Sequence, residues 1–447
     1  MARRLPPGPR TPLRTFIALN ADPLGYLTDL ARKYGPVASY LRGRQVVFAF
    51  NDPELVREFL VVKHRSFRKD RGMQVAKKIL GEGLLSSEGD FHMRQRRLSA
   101  PALHKERIAA HGQDIVGYAG RTGREWSDGA TLDIVPAMER LTLGIVGKTL
   151  FGTDVEAEAE ELGAIKALAV DQFTMLRVVF SVIRDKLPFS GKGVLEEARG
   201  RLDRIVYRMI EERRRSGADH GDLLSMLLLA TDAEGDGSRM TDLQLRDEAM
   251  TIFLAGHDTV TNALSWTWYL LAQNPEVEAR LHAELDAVLG GRPATAEDVR
   301  RLPYTEHVVA ESMRLFPPAW ALGRLASEDV DIGGWEVKAG DSVVVSQWVL
   351  HRDARYFPDP LRFDPDRWEP AIVATRPKFT YFPFGGGPRS CVGEAFAWME
   401  AILVLATLAR QWRLRLLPDQ RVTPTPRLTL RPVPGIRVRL ERRRPAQ

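Results

Sequence analysis

A single cysteine, Cys391, is the whole supply of thiol in 447 residues. One cysteine forms no internal disulfide and cannot furnish the several thiolates of a structural zinc or iron–sulfur site. The lone thiol is therefore inert packing, a single metal ligand or a nucleophile. Long apolar runs are missing too. The longest are Leu223–Ala230, interrupted by Ser225, and Ala401–Ala409, interrupted by Thr407. Both fall far short of the roughly 20 residues of a membrane span. The start, Met-Ala-Arg-Arg-Leu-Pro-Pro-Gly-Pro-Arg, lacks the apolar centre of a signal peptide. No repeat of roughly 20–50 residues is visible, and no low-complexity linker splits the chain. The expectation is one soluble, cytoplasmic, monomeric domain over residues 1–447.

Composition is that of a globular chain: 44% hydrophobic and 27% charged residues exclude disorder or a fibre. Lys and Arg number 64 against 58 Asp and Glu, a net +6. The excess is mild and partly local to Arg437–Arg444, and no recognition helix for nucleic acid accompanies it. Residues 37–50 predict a hairpin, two β-rich runs around Arg-Gly-Arg. From about 53 to 320 the pattern is mostly helical. Short strands are expected near 329–346 and 428–440. The fold class is mainly α with a smaller β-rich portion.

Three helices matter most. The first spans about Asp242 to Ala272 and is apolar nearly all round, which places it in the core. Asn274 is placed to cap the next helix, with Pro275 at its first position. The second runs from Thr305, read as its N-cap, to about Phe316, where Pro317-Pro318 stop it. The third begins near Cys391 and runs through Ala395–Arg410.

Chemistry concentrates in three places. Cys391 sits in Phe384-Gly385-Gly386-Gly387-Pro388-Arg389-Ser390-Cys391-Val392-Gly393. The glycines permit unusual backbone angles and the close approach of a flat ligand. Backbone N–H groups and a following helix N-terminus are expected to favour the thiolate. That suits one axial metal bond or a nucleophile, and no His or Asn lies nearby to serve a nucleophile as base. Glu311 and Arg314 are three apart on one helical face and can pair; Phe363-Asp364-Pro365-Asp366-Arg367-Trp368 offers a second arginine, Arg367. Ala255-Gly256-His257-Asp258-Thr259 interrupts the apolar helix. Gly256 leaves a notch there, bordered by Asp258 and Thr259, polar residues that are costly to bury without a use.

In their order along the chain these motifs resemble the cytochrome P450 family across nearly the whole sequence. Phe384–Gly393 is similar to the haem-binding loop, Ala255–Thr259 to the oxygen-activating segment, and Glu311, Arg314 and Arg367 to the structural triad. Trp368 stands where Phe is commoner and reads as a packing variant. The resemblance implies the P450 fold, with haem b between the long central helix and the helix after the cysteine loop. Cys391 is then the proximal thiolate. The haem contacts implied are Phe384 and Gly393, with His92, Arg96, Arg324 and Arg389 receiving the propionates. Asp258 and Thr259 supply protons for activation of O₂ as co-substrate.

The activity implied is insertion of one oxygen atom from O₂ into a hydrophobic small molecule: a terpenoid, fatty acid or steroid-like compound. The Asp258-Thr259 pair argues against a peroxygenase, a redox-silent haem isomerase and a haem sensor. The pocket is expected from Met73, Val75, Leu84, Leu85, Phe253, Leu254, Ala255, Ala319, Ala321, Leu322 and Leu428. No flavin or ferredoxin signature is present, so electrons from NAD(P)H are expected through separate partners. The donor is read as an acidic ferredoxin or flavodoxin docking near Arg376, Lys378, Arg410 and Arg413.

Overall fold

The structure is a computed structural model. It describes residues 3–152 and 192–443, apart from Ala218, Ala233 and Asp236. The helical reading between 153 and 191, the arginine run at Arg444 and the side chain of Val75 lie outside the described residues.

The central helix runs Asp242–Gln273, 32 residues, roughly 48 Å at a rise of about 1.5 Å per residue. Thr241 opens it with a capping box: Oγ1 accepts from the Gln244 N–H at 3.3 Å, and Gln244 Oε1 accepts from the Thr241 N–H at 2.9 Å. Buried residues occur all round it, Trp266 and Trp268 fully so. Trp266 stacks on Phe316 with ring centroids 4.0 Å apart. Helix Ile134–Phe151 packs closely against it. A Cβ at Gly256 would already stand 3.4 Å from Val146 Cγ2, so the glycine sets how near the two helices come.

Three boundary details differ from expectation. Asn274 holds the N-cap position of helix Pro275–Leu289, but its side chain makes no cap bond there; its amide donates back to Leu270 O at 2.7 Å and closes the central helix. Thr305 is not an N-cap. Helix Pro303–Leu315 starts two residues earlier, because proline suits a first turn, and Thr305 Oγ1 donates to Glu284 Oε2 at 2.7 Å. The third helix is Glu394–Ala409 with Gly393 as N-cap, so Cys391 lies in the loop before it.

The largest sheet has five strands in the order Val37–Arg42, Gln45–Phe50, Ser342–Val345, Leu322–Ala326 and Phe67–Lys69. The predicted hairpin pairs Val37 with Phe50 through Arg42 with Gln45. Gln45–Phe50 runs parallel to Ser342–Val345, and the other pairings are antiparallel. Trp412–Leu416, Arg437–Arg442 and Thr131–Asp133 form a second sheet. Thr423–Pro426 and Leu430–Val433 form a hairpin whose Leu430 carbonyl accepts from Trp266 Nε1 at 3.0 Å. That bond ties the hairpin to the central helix.

Candidate active site

A cavity of about 400 Å³ separates the central helix from the 383–393 loop. Cys391 lines it and is a free thiol. The Cys391 N–H donates to Phe384 O at 2.9 Å, which folds the loop back on itself. The sulfur is open to the cavity, yet the protein atoms crowded around it push the thiol above its ordinary pKa, and the Gly393 N–H only partly opposes this. The expected preference for thiolate therefore does not hold for the polypeptide alone. One N–H, rather than several, serves the sulfur, and Glu394 in the first turn adds a like charge. A coordinating metal cation reverses this balance and deprotonates a thiol outright.

Beside His111, five basic groups line the same cavity: Lys69, His92, Arg96, Arg324 and Arg389. Lys69 and Arg324 are direct cross-strand partners, an arrangement that like charges disfavour. Arg389 donates to Ser87 O at 3.0 Å and pairs with Glu88. Arg96 donates to Ser390 O at 2.7 Å and to Ser390 Oγ at 3.2 Å. His92 Nδ1 meets Ser87 Oγ at 3.2 Å, while Nε2 is buried with no partner among the described residues. Burial, then Arg389 and Arg324, pull Lys69 down to about 7; burial, then Arg389 and Lys69, pull His92 to about 3. Burial also lowers Arg324 and Arg389. Crowded cations and an orphaned ring nitrogen fit a ligand that brings its own carboxylates, as the two propionates of haem do. The sequence pointed to four of the five. Lys69 escaped because its signal is its pairing with Arg324, on a strand the sequence did not show.

Asp258 and Thr259 part company, as neighbours about 100° apart on a helix can. Thr259 lines the cavity, its Oγ1 donating to Ala255 O at 2.9 Å. Asp258 does not border the notch as expected. It is buried against the 423–433 hairpin, accepting from Thr429 Oγ1 at 2.6 Å and Arg431 at 2.5 Å. Asn262 Nδ2 bridges Asp258 O at 2.8 Å and Thr429 Oγ1 at 3.1 Å. Sequence reasoning named neither Thr429 nor Arg431.

Glu311 and Arg314 are both fully buried and pair twice, at 2.7 and 2.8 Å. Arg314 also donates to the carbonyls of His351, Pro360 and Arg362 at 2.7–3.1 Å. Arg367 approaches Glu311 to 3.4 Å as an ion pair, but its Nε makes no hydrogen bond among the described residues. Trp368 Nε1 donates to Glu311 Oε2 at 3.0 Å, so it is a partner of the carboxylate rather than a packing variant.

Of the expected pocket residues, Met73, Leu84, Leu85, Ala255, Ala319 and Leu322 line the cavity. Phe253 instead packs into a core cluster with Met250 and Leu245, where Leu254 joins it. Ala321 precedes the wall rather than forming it, and Leu428 sits 36% exposed on the surface. Arg376 is also not a free surface charge: it donates to Arg367 O at 2.5 Å and lies over Trp368. Arg410 turns in to Gly291 O. Lys378 and Arg413 are exposed.

One sulfur ligand and a rim of cations around an apolar cavity belong to the chemistry of a haem-thiolate oxygenase. A family profile described as Cytochrome P450 matches residues 6–439. Cyclooctatin synthase of Streptomyces melanosporofaciens is 37% identical, over 91% of this chain and 89% of that protein. Cyclooctat-9-en-7-ol 5-monooxygenase of the same organism is also 37% identical, over 92% and 89%. Pentalenene oxygenase of Streptomyces avermitilis is 34% identical, over 95% and 94%. The crystal structure of the cytochrome P450DA haem domain superposes with a TM-score of 0.87 at 25% identity, covering 99% of this chain and 98% of that one. The chain belongs to the cytochrome P450 family and is a monooxygenase. No helix among the described residues is long and apolar enough to cross a membrane.

Proposed function

We propose that this monooxygenase oxidises a cyclic terpenoid, with Cys391 as the haem ligand. The observation that carries the assignment is one largely apolar cavity lined by the Cys391 thiol, by Thr259 of the central helix and by the cluster of cations. Relatives whose names specify pentalenene and a cyclooctatenol support the substrate class. Arg324, Arg389, His92, Arg96 and Lys69 hold the propionates. Bound haem supplies dioxygen activation, and donation from the thiolate favours cleavage of the O–O bond. Thr259 holds a proton at the cavity face, and Asp258 resupplies it from the hairpin side. Leu84, Leu85, Ala319 and Leu322 keep water out and orient the hydrocarbon. Electrons come from NAD(P)H through a separate ferredoxin or flavodoxin, with Lys378 and Arg413 on the docking face.

The test is spectroscopic and chemical. The reduced protein under carbon monoxide should show the red-shifted Soret band of a thiolate haem, and Cys391→Ser should lose it. With isotopically labelled dioxygen and a panel of cyclic terpenes, one labelled atom should enter the product. A Cys391→Ser protein that keeps the band, or a product without label, would overturn the assignment.

A further inference from the structure

Two consecutive acids near the start of the central helix, Asp247 and Glu248, have no role in the haem site, yet both are buried. Both are spent on the loop 81–85. The Glu82 N–H donates to Asp247 Oδ2 at 2.7 Å, and the Leu84 N–H donates to Glu248 Oε2 at 3.0 Å. Glu248 Oε1 accepts from Gln95 Nε2 at 3.1 Å, which joins helix Gly89–Ser99 to the same carboxylate. On the other side of Leu84, Lys69 Nζ donates to its carbonyl at 3.1 Å and also to the carbonyl of Leu85. The peptide groups of Leu84 are thus gripped at both ends by buried charges.

The approach is so close that side chains are excluded. Gly81 sits at φ 71°, and a Cβ on it would collide with the Asp247 carboxylate. A Cβ on Gly83 would collide with the Thr251 hydroxyl and the Asp247 carbonyl. Asp247 is itself held by Arg246 at 2.7 Å, and Arg246 reaches Asp203 of helix Lys192–Ser216 at 2.6 Å. What the grip delivers is Leu84 and Leu85, which line the cavity.

We propose that Glu248 is a positioning residue for substrate selectivity, fixing the Leu84–Leu85 wall of the cavity through the Leu84 peptide. This rests on the reading of the cavity as the haem and substrate site. The wall is then set from the same helix that carries Thr259, so substrate fit and proton supply share one rigid element. Burying two acids to hold one five-residue loop is costly unless the loop's position matters to fractions of an ångström.

The test uses the haem-loaded protein and two ligands of different reach. Imidazole is small enough to ignore the wall; clotrimazole, with three aryl rings, fills the cavity. Both are titrated by the shift of the Soret band. Glu248→Ala should change the ratio of clotrimazole to imidazole dissociation constants about tenfold, with imidazole affinity and the carbon monoxide band per haem unchanged. Glu248→Gln should hold the ratio within about threefold. The amide oxygen still accepts from Leu84, and the Gln95 amide can turn over to accept from the new NH₂. Should Glu248→Ala not fold, Gly83→Ala displaces the loop without stranding partners of the acid and should move the ratio likewise.

An unchanged ratio in the folded variant, an equal change for both ligands, or lost stability without a changed ratio would each overturn the proposal. A wild type with neither a thiolate band nor an azole shift would instead defeat the underlying haem reading.

Discussion

Trp368 shows what a single side chain can hide. Its position beside Arg367 suggested bulk, and its use is a hydrogen bond to Glu311. Spacing told the reader that Glu311 and Arg314 could pair, because three residues on a helix fix a shared face. Spacing does not tell which way an indole N–H points. The reverse holds for Arg367, whose geometry to Glu311 is the looser of the two. Removing one partner of a buried pair costs roughly 3–5 kcal/mol, so Glu311→Ala should yield little soluble, haem-loaded protein. Trp368→Phe should lose one bond to a charged acceptor, about 1.5–3 kcal/mol. Thermal melts of the haem-loaded proteins check both. A Glu311→Ala protein as stable as Trp368→Phe would mean that the carboxylate has little to hold.

At the scale of elements, length and uniformity decided what could be read. The 32-residue central helix was legible end to end, and its Gln273–Asn274 stop fell within a residue of expectation. The 37–50 hairpin was legible because two β-rich runs flank a short polar turn. Phe67–Lys69 is too short to show alternation, Leu322–Ala326 is disguised by Gly323 and Arg324, and Thr423–Pro426 carries two prolines. The first two bring Lys69 beside Arg324, and the third pairs with the strand that carries Arg431 to Asp258, so part of the site's electrostatics could not be read from spacing. The hairpin also makes a prediction. Thr259→Ala should keep haem and substrate binding but divert reducing equivalents to hydrogen peroxide, with product formation down roughly 10²–10⁴-fold. Arg431→Ala should release Asp258 from its partner, lowering coupling and altering the solvent isotope effect on turnover. Arg431→Lys should restore most of the coupling. Peroxide yield per NAD(P)H, measured in all three, checks the pair; unchanged coupling in Arg431→Ala would detach the hairpin from proton supply.

Across the whole molecule, buried histidines set the acid limit of stability. His282 is 3% exposed, neither ring nitrogen has a partner among the described residues, and burial with Arg443 and Arg413 nearby pulls it down to about 3. The folded value lies below the unfolded value of about 6.5, so the unfolded chain takes the proton first. Stability is therefore full above about pH 6.5 and falls as pH drops toward 3. At pH 5 the loss from this one residue is about 2 kcal/mol, at 1.36 kcal/mol per unit. His282→Phe should flatten that part of the profile between pH 7 and 5, read from unfolding midpoints. An equally steep decline in the variant would place the acid sensitivity elsewhere.

The grip on Asp258 by the 423–433 hairpin has a consequence in time. Lys69 and Arg431 lie about 360 residues apart, and a ribosome adding roughly 5–20 residues per second needs some 20–70 s to travel between them. The central helix is itself made about halfway through that interval, and from then on Asp258 waits for the residues that later hold it in place. Cys391 emerges late in that interval, about 40 residues before the hairpin's arginine. The cofactor thus has no ligand sulfur to bind through most of that interval, and its capture follows the synthesis of the central helix. Haem supply after Cys391 has emerged, rather than while the helices before it are made, would then govern how much active protein a cell makes.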